Sequence, residues 1–295
     1  MELIIFFIIG ALAGFAAGLF GVGGGTIIVP LLFIVFTQMG YPTDSIMHLA
    51  LGTSLATIIV TSISSLMAHN KKGSVMWPVF KNLAPGMALG CFFGAGVAGK
   101  ISGTHLQIIV GIFLLWVAYR MFSKSKKPSA QSQQSATAAN DLSASDTNSN
   151  ININSADATA VTLPSTPNQL AAGGVIGIAS AIFGIGGGSL TVPYLTHYGV
   201  VMQKAVGTSA ACGLPIAIAG ALGFMIFGMQ QQLDVPNTIG FVHLYAFLGI
   251  ASMSFITAKL GAKVAHILSP QLLKRCFAIL LTVVGCYFLF KAYMS

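Results

Sequence analysis

Two glycine runs constrain this chain more than anything else in it. Gly21-Val22-Gly23-Gly24-Gly25-Thr26, with Pro30 four residues on, recurs as Gly184-Ile185-Gly186-Gly187-Gly188-Ser189 with Pro193, at an offset of 163 residues. Both runs interrupt apolar stretches where an unbroken helix would otherwise be expected. Glycine in a helix interior costs about 1 kcal/mol relative to alanine. Four glycines within five positions therefore break the helix, and a break made twice at the same place in two apolar stretches points to a duplicated device.

Composition says where those stretches lie. Of 295 residues, 55% are hydrophobic and only 7% charged, against roughly 25% charged in soluble domains. A water-facing surface cannot be made from this chain, and its solvent is the lipid bilayer. Met1-Glu2 carries no basic side chain and the apolar run after it is long, so the first segment does not read as a cleavable signal peptide. The formal charge of +8 does not indicate nucleic acid, because the basic residues fall between apolar segments, where they set topology. Cys91, Cys212, Cys276 and Cys286 have no Cys-x-x-Cys spacing and read as packing residues. No metal site and no cofactor is expected.

In chain order, apolar residues 3–20 precede the first glycine run and 26–36 follow it as a short arm. Segments 46–68, 82–99 and 105–122 come next. Residues 124–168 are dominated by Ser, Thr, Asn, Gln and Ala; such a stretch buries too little apolar surface to offset its ordering entropy and reads as a disordered linker. The second half replays the first: 169–183 and 189–197 flank the second glycine run, followed by 203–228, 239–258 and 271–293. Gly52-Thr53-Ser54 recurs as Gly207-Thr208-Ser209, and Gly94-Ala95 as Gly261-Ala262. The organisation expected is a membrane repeat over 1–123, a cytoplasmic linker over 124–168 and a second repeat over 169–295.

Charge decides between two topologies. If each broken segment crosses the membrane, the basic residues divide 8 against 6 between the two sides. If each is a hairpin that dips in and returns, every Lys and Arg except Lys100 and Lys291 falls on one side, 12 against 2. Cytoplasmic loops collect Lys and Arg, so the hairpin topology is preferred. Each half then crosses three times. The fold class expected is an all-α polytopic membrane protein of two inverted-topology repeats, each a glycine-broken helical hairpin plus three transmembrane helices. That makes about eight hydrophobic segments and up to ten helical elements, an arrangement found in secondary transporters. Both termini are placed outside the cytoplasm.

Irregular backbone at membrane depth is tolerated only where it is buried in protein or lines a polar cavity. After each break a helix restarts at Thr26 or Ser189, read as N-caps, with Pro30 or Pro193 early in the helix. Unpaired N–H groups and the positive end of the helix dipole then face the break, which is the chemistry of an anion site. Gly21, Gly23, Gly24, Gly25 and Thr26 in one half, and Gly184, Gly186, Gly187, Gly188 and Ser189 in the other, are the candidate ligands. Thr53, Ser54, Thr208 and Ser209 add hydroxyls, which bind an oxyanion without burying a fixed charge. Pro30, Pro193, Gly52 and Gly207 are read as structural or hinge positions. Small-residue helix packing and hydroxyls bonding back to their own helix are the alternatives. His243, near the outer end of segment 239–258, is the histidine considered for proton coupling. No Asp or Glu stands at the centre of a segment, which argues against a carboxylate proton relay.

These motifs together resemble a known family. Gly14, Gly21 to Thr26, Pro30-Leu31-Leu32 and Gly52-Thr53-Ser54-Leu55, with Gly177, Gly184 to Ser189, Pro193 and Gly207-Thr208-Ser209 repeating them, look like the sulfite exporter TauE/SafE family, also called the toluenesulfonate uptake permeases. The resemblance spans both halves and leaves out the linker. It implies a multi-pass protein of the bacterial inner membrane that carries small sulfur-containing anions such as sulfite, sulfoacetate or related organosulfonates. It leaves open which anion and which direction. Two other readings compete with transport. One is a membrane scaffold acting through 124–168. The other is an intramembrane enzyme using Ser54 or Ser209, for which the chain offers no Gly-x-Ser-x-Gly elbow.

Overall fold

The computed structural model describes residues 2–20, 25–71, 73–123, 164–231, 233, 235–265 and 270–294. Among them are ten helices: α1 Glu2–Phe20, α2 Gly25–Gln38, α3 Thr43–Lys71, α4 Trp77–Lys100, α5 Gly103–Ser123, α6 Thr166–Phe183, α7 Gly188–His197, α8 Met202–Met229, α9 Leu244–Ala265 and α10 Pro270–Met294. The helices α3, α4 and α8, and the Gly103–Arg120 part of α5, are long and apolar enough to cross a membrane. With 14 and 10 residues, α2 and α7 reach only about 21 and 15 Å at 1.5 Å per residue, short of the ~30 Å hydrocarbon core.

The second half departs from the expected helices in two places. Segment 239–258 does not begin as a helix. Thr238–Ile239 (β1) pairs antiparallel with Val242–His243 (β2), in the register Thr238↔His243 and Ile239↔Val242. Left-handed Asn237 and Gly240 (φ +59° and +55°) turn the chain there, so the helix waits until Leu244. At the other boundary, α6 takes up residues 166–168, so the helix begins inside the stretch whose composition reads as linker. Ser165 stands at its N-cap position and a proline lies in its first turn, where the missing N–H costs nothing. Residues 124–163, the bulk of that linker, lie outside the described residues. So do residues 21–24 of the first glycine run.

Packing ties each half to the other. The first helix of each half lies parallel to the fourth helix of its partner half, α1 on α9 and α6 on α4. Gly10 and Gly14 bring α1 against Gly249, Ile250 and Ser254, and the Ser254 hydroxyl donates to the Gly10 carbonyl at 3.0 Å. On the other side, Gly86 and Gly90 of α4 meet Leu170 and Gly174 of α6, while Gly173 and Gly177 of α6 meet Leu83 and Met87. The third helices run antiparallel: Gly52 lies beside Phe224, Leu55 beside Gly220 and Ser62 beside Gly213. The fifth helices do the same, with Gln107 Nε2 donating to the Phe288 carbonyl at 2.7 Å and Gly285 beside Gly111 and Leu115.

Lipid supplies little hydrophobic drive for helix association, so close backbone approach through small residues does this work. Two neighbours on α6 separate that role from helix propensity. A Cβ at Gly177 would lie 2.3 Å from the Met87 carbonyl oxygen, whereas at Gly174 it would meet only the Gly86 carbonyl oxygen at 3.9 Å. Gly177→Ala is therefore expected to lower stability by about 1–3 kcal/mol. Gly174→Ala is expected to be neutral or to stabilise by up to about 1 kcal/mol. Thermal unfolding of the two variants in detergent checks the difference in sign.

Candidate functional site

The start of α2 meets the second glycine break. A Cβ on Gly25, the first residue of α2, would lie 2.5 Å from the Gly184 carbonyl oxygen and 3.2 Å from the Ile185 Cα. Contact this close leaves no room for a side chain. Around the second break stand Val29 of α2, Leu51 and Ile58 of α3, and Gly213 and Ile216 of α8. Gly184 and Gly187 both adopt left-handed conformations (φ +65° and +74°), which residues with a Cβ reach only at a cost.

The two helix ends at this break are treated differently. At the carboxy-terminal end of α6 the Ser180 carbonyl accepts the N–H groups of both Gly184 and Ile185. The Gly184 carbonyl accepts the Ser54 hydroxyl at 3.1 Å. The amino-terminal end of α7 is left open. Its N-cap is Gly187, with no side-chain cap bond. Ser189 is thus not the N-cap expected from its type and position; it is the second residue of the helix, as Thr26 is of α2. The break holds enough glycine to let the helix start earlier, on Gly188 or Gly25. Pro30 and Pro193 are each the sixth residue of their helix. Each removes the N–H that would have bonded the carbonyl four residues back, on Thr26 and Ser189 respectively.

Several buried hydroxyls on the helices that flank the breaks are unpaired. Thr26 Oγ1, Ser180 Oγ, Ser189 Oγ and Thr191 Oγ1 are buried and have no hydrogen-bond partner. Thr26, Ser180 and Thr191 are 3%, 0% and 0% exposed. Thr191 Oγ1 lies 3.7 Å from where a Gly187 Cβ would stand, and Ser209 Oγ 3.6 Å from the corresponding point at Gly188. Buried hydroxyls are normally bonded, so each of these leaves a hydrogen bond to be made. Ser180 and Thr191 were not among the residues singled out from the sequence. At the 163-residue offset they align with Ala17 and Ile28, so a search for duplicated motifs passes over them.

The Gly-Thr pairs are engaged elsewhere. The Thr53 hydroxyl accepts the N–H of His243, and the Thr208 hydroxyl that of Met76, both at 3.0 Å. Each donor is the residue just before the fourth helix of the opposite half. A Cβ on Gly52 would fall 2.3 Å from the Phe241 carbonyl oxygen, and one on Gly207 2.4 Å from that of Ser74. Each glycine admits the connecting backbone and each threonine bonds it two residues later, so the motif works as a clasp between halves. His243 itself is fully buried; its Nδ1 accepts the Ala246 N–H at 3.2 Å and its Nε2 lies 3.2 Å from Tyr41 Oη. It sits among Phe6, Phe36 and Tyr41, where its ring caps α9. Gly21, Gly23 and Gly24 lie outside the described residues.

A family model described as the sulfite exporter TauE/SafE matches residues 6–288, nearly the whole chain. The chain belongs to the TauE/SafE family. Its relatives agree: a Haemophilus influenzae protein named a probable membrane transporter is 35% identical over 279 residues, 94% of each chain. The Bacillus subtilis probable membrane transporter protein YunE is 27% identical over the full length of both. A Methanocaldococcus jannaschii protein of the same description is 24% identical across 96% of this chain and 93% of its own. No solved structure matches. This TauE/SafE protein is an integral membrane transporter, not an enzyme.

Proposed function

We propose that the protein is a secondary transporter of small sulfur-containing oxyanions, sulfite, sulfoacetate or a related organosulfonate, bound between the opposed glycine breaks. The observation that carries this reading is the pairing of an uncapped α7 start with buried, unpartnered hydroxyls on Thr26, Ser180 and Thr191. Gly25, Thr26, Gly184, Gly186, Gly187, Gly188, Ser189, Ser54 and Ser209 line or support the site in this reading, and Gly21, Gly23 and Gly24 are candidate ligands on their sequence alone. Thr53 and Thr208 hold the two halves around it. That the substrate contains sulfur rests on the family's description alone.

The two halves are read as inverted repeats in a bacterial inner membrane, with both termini outside and the 124–163 stretch in the cytoplasm. The antiparallel course of the equivalent helices α3 and α8, and of α5 and α10, supports a pseudo-two-fold axis lying across the helices. The segregation of Lys and Arg supports the sidedness. A monoanion leaving a cell that is negative inside gains about 2.3 kcal/mol per 100 mV, enough to drive export without a coupled ion.

The test is reconstitution into liposomes, with flux of sulfite, thiosulfate, sulfoacetate, taurine and sulfate followed under a potassium-valinomycin potential. Saturable flux of a sulfur anion, scaling with the potential, is the expected result. Flux that ignores the potential and follows a proton gradient would overturn the uniport mechanism, and no flux of any of the anions would overturn the assignment.

A further inference from the structure

The clasp that joins Ser74 and Met76 to Gly207 and Thr208 brings three helix ends together: the end of α3, the start of α4 and the start of α8. Each end carries an exposed lysine. Lys71 lies in the last turn of α3, Lys81 in the second turn of α4 and Lys204 in the first turn of α8. Trp77, the first residue of α4, stands beside them with 42% of its surface exposed. Its Nε1–H donates to Asn70 Oδ1 at 3.3 Å, next to Lys71, and Phe80 packs edge-on against its ring. Lys81 follows Trp77 one turn along the same face.

The clasp itself does not require these residues. At the equivalent clasp, between Gly52, Thr53 and the 241–243 connector, Leu244, Leu248 and Leu49 stand where Trp77, Lys81 and Lys204 do here. No acid balances the lysines. The six acidic residues are Glu2, Asp44, Asp141, Asp146, Asp157 and Asp234, and none lies in α4, α8 or the connector between α3 and α4. Asp44 is in the first turn of α3, at the far end of that helix.

Beyond Lys81 the surface of α4 turns apolar. Pro85, Leu89, Phe93 and Val97 follow at four-residue spacing, and all are exposed. Residues four apart form a ridge along a helix, so the lysines open onto a continuous apolar ridge. Lysine attracts phosphate, tryptophan sits at headgroup depth, and an apolar ridge takes an acyl chain. A soluble phosphate uses only the first of these. The amine of a zwitterionic headgroup is repelled by the same lysines, which leaves an anionic phospholipid as the matching ligand. We propose that Lys71, Lys81, Lys204 and Trp77 bind one anionic phospholipid, with its phosphate on the lysines and an acyl chain along Leu89 and Phe93.

Trp77 and Trp116 are the two tryptophans of the chain, so Trp116→Phe leaves Trp77 as a reporter in the full-length protein. The protein is placed in phosphatidylcholine liposomes doped with phosphatidylglycerol or phosphatidylcholine brominated near the headgroup, and quenching of Trp77 gives their relative affinities. Phosphatidylglycerol is expected to be preferred at least about tenfold, and Lys71→Gln, Lys81→Gln and Lys204→Gln are each expected to lower that preference about fivefold. Arg275→Gln, which removes an exposed charge on α10, is expected to change nothing, and soluble glycerol phosphate is expected to leave quenching as it is. Because all these side chains are exposed, the variants are expected to melt as the parent does, and the three single substitutions keep the result readable if a combined variant unfolds. Equal quenching by the two lipids overturns the site. A preference that survives all three lysine substitutions, or that Arg275→Gln removes as effectively, belongs to diffuse charge and overturns it as well. Relief of quenching by glycerol phosphate overturns the lipid in favour of a free phosphate. A preference that emerges only after residues 128–160 are deleted overturns it in favour of the aspartates of that stretch.

Discussion

Gly52→Ala and Gly207→Ala are each expected to destabilise the folded protein by about 3 kcal/mol or more, although each adds only a methyl group. At both positions the new Cβ would stand 2.3–2.4 Å from a backbone carbonyl oxygen of the opposite half. Backbone cannot rotate away as a side chain end can, so the connector must lift off. Lifting it strips an N–H donor from Thr53 or Thr208. Overpacking by a methyl costs about 1–3 kcal/mol, and a buried hydrogen bond lost with its donor left unpaired adds about 1–3 kcal/mol. The two sites lie toward opposite ends of the bundle, since α3 and α8 run antiparallel, so their effects should add within about 0.5 kcal/mol. Thermal melting in detergent, with Gly174→Ala as a glycine-to-alanine control, measures this. Melting unchanged in either clasp variant would show that the connector yields cheaply.

The clasp also explains what the sequence could and could not reveal. Duplication exposed it: Gly-Thr-Ser stands at equivalent places in both halves, and repetition is visible without a structure. Its purpose was not visible, because the partners Phe241, His243, Ser74 and Met76 share no residue type. They correspond by position alone, just before the fourth helix of each half. The Thr53 and Thr208 hydroxyls hold backbone as acceptors. Ser54 is similar, with its proton committed to the Gly184 carbonyl.

Long apolar segments were legible because 20 residues without charge have few other fates. The hairpin at 238–243 was not, because Thr, Ile, Phe and Val read as the start of an apolar helix until the left-handed Asn237 and Gly240 are known. Nor was the helix start at Gly188: a serine after a glycine run looks like a cap, and only the backbone shows that the glycine itself takes that place. The pairings of α1 with α9 and α6 with α4 needed three dimensions. The glycines that permit them are spread over residues 10–14, 86–94, 173–177 and 249, without a shared motif.

Gly188→Ala is expected to cut anion flux by at least about tenfold while leaving the fold intact. Most glycines of the second break cannot make this test. Gly187→Val would force a left-handed residue (φ +74°) to carry a branched side chain, with its Cβ 2.3 Å from Ile216 Cδ1. Gly184 is left-handed and crowded by Val29 and Leu51, and loss of function in either would say little about ligand. Gly188 differs. It has ordinary helical handedness, and a Cβ there would meet a single neighbour within 4 Å, Ser209 Oγ at 3.6 Å. At the first position of a helix, alanine is no worse than glycine and can stabilise by up to about 1 kcal/mol. A packing role for this glycine thus predicts a normal or slightly stabler protein with normal flux. A ligand role predicts the same stable protein with flux lost, because the methyl occupies the space through which an oxyanion reaches the N–H groups of α7. Flux in liposomes and melting temperature, measured on the same preparation, separate the two. Wild-type flux would remove the α7 start from the transport path.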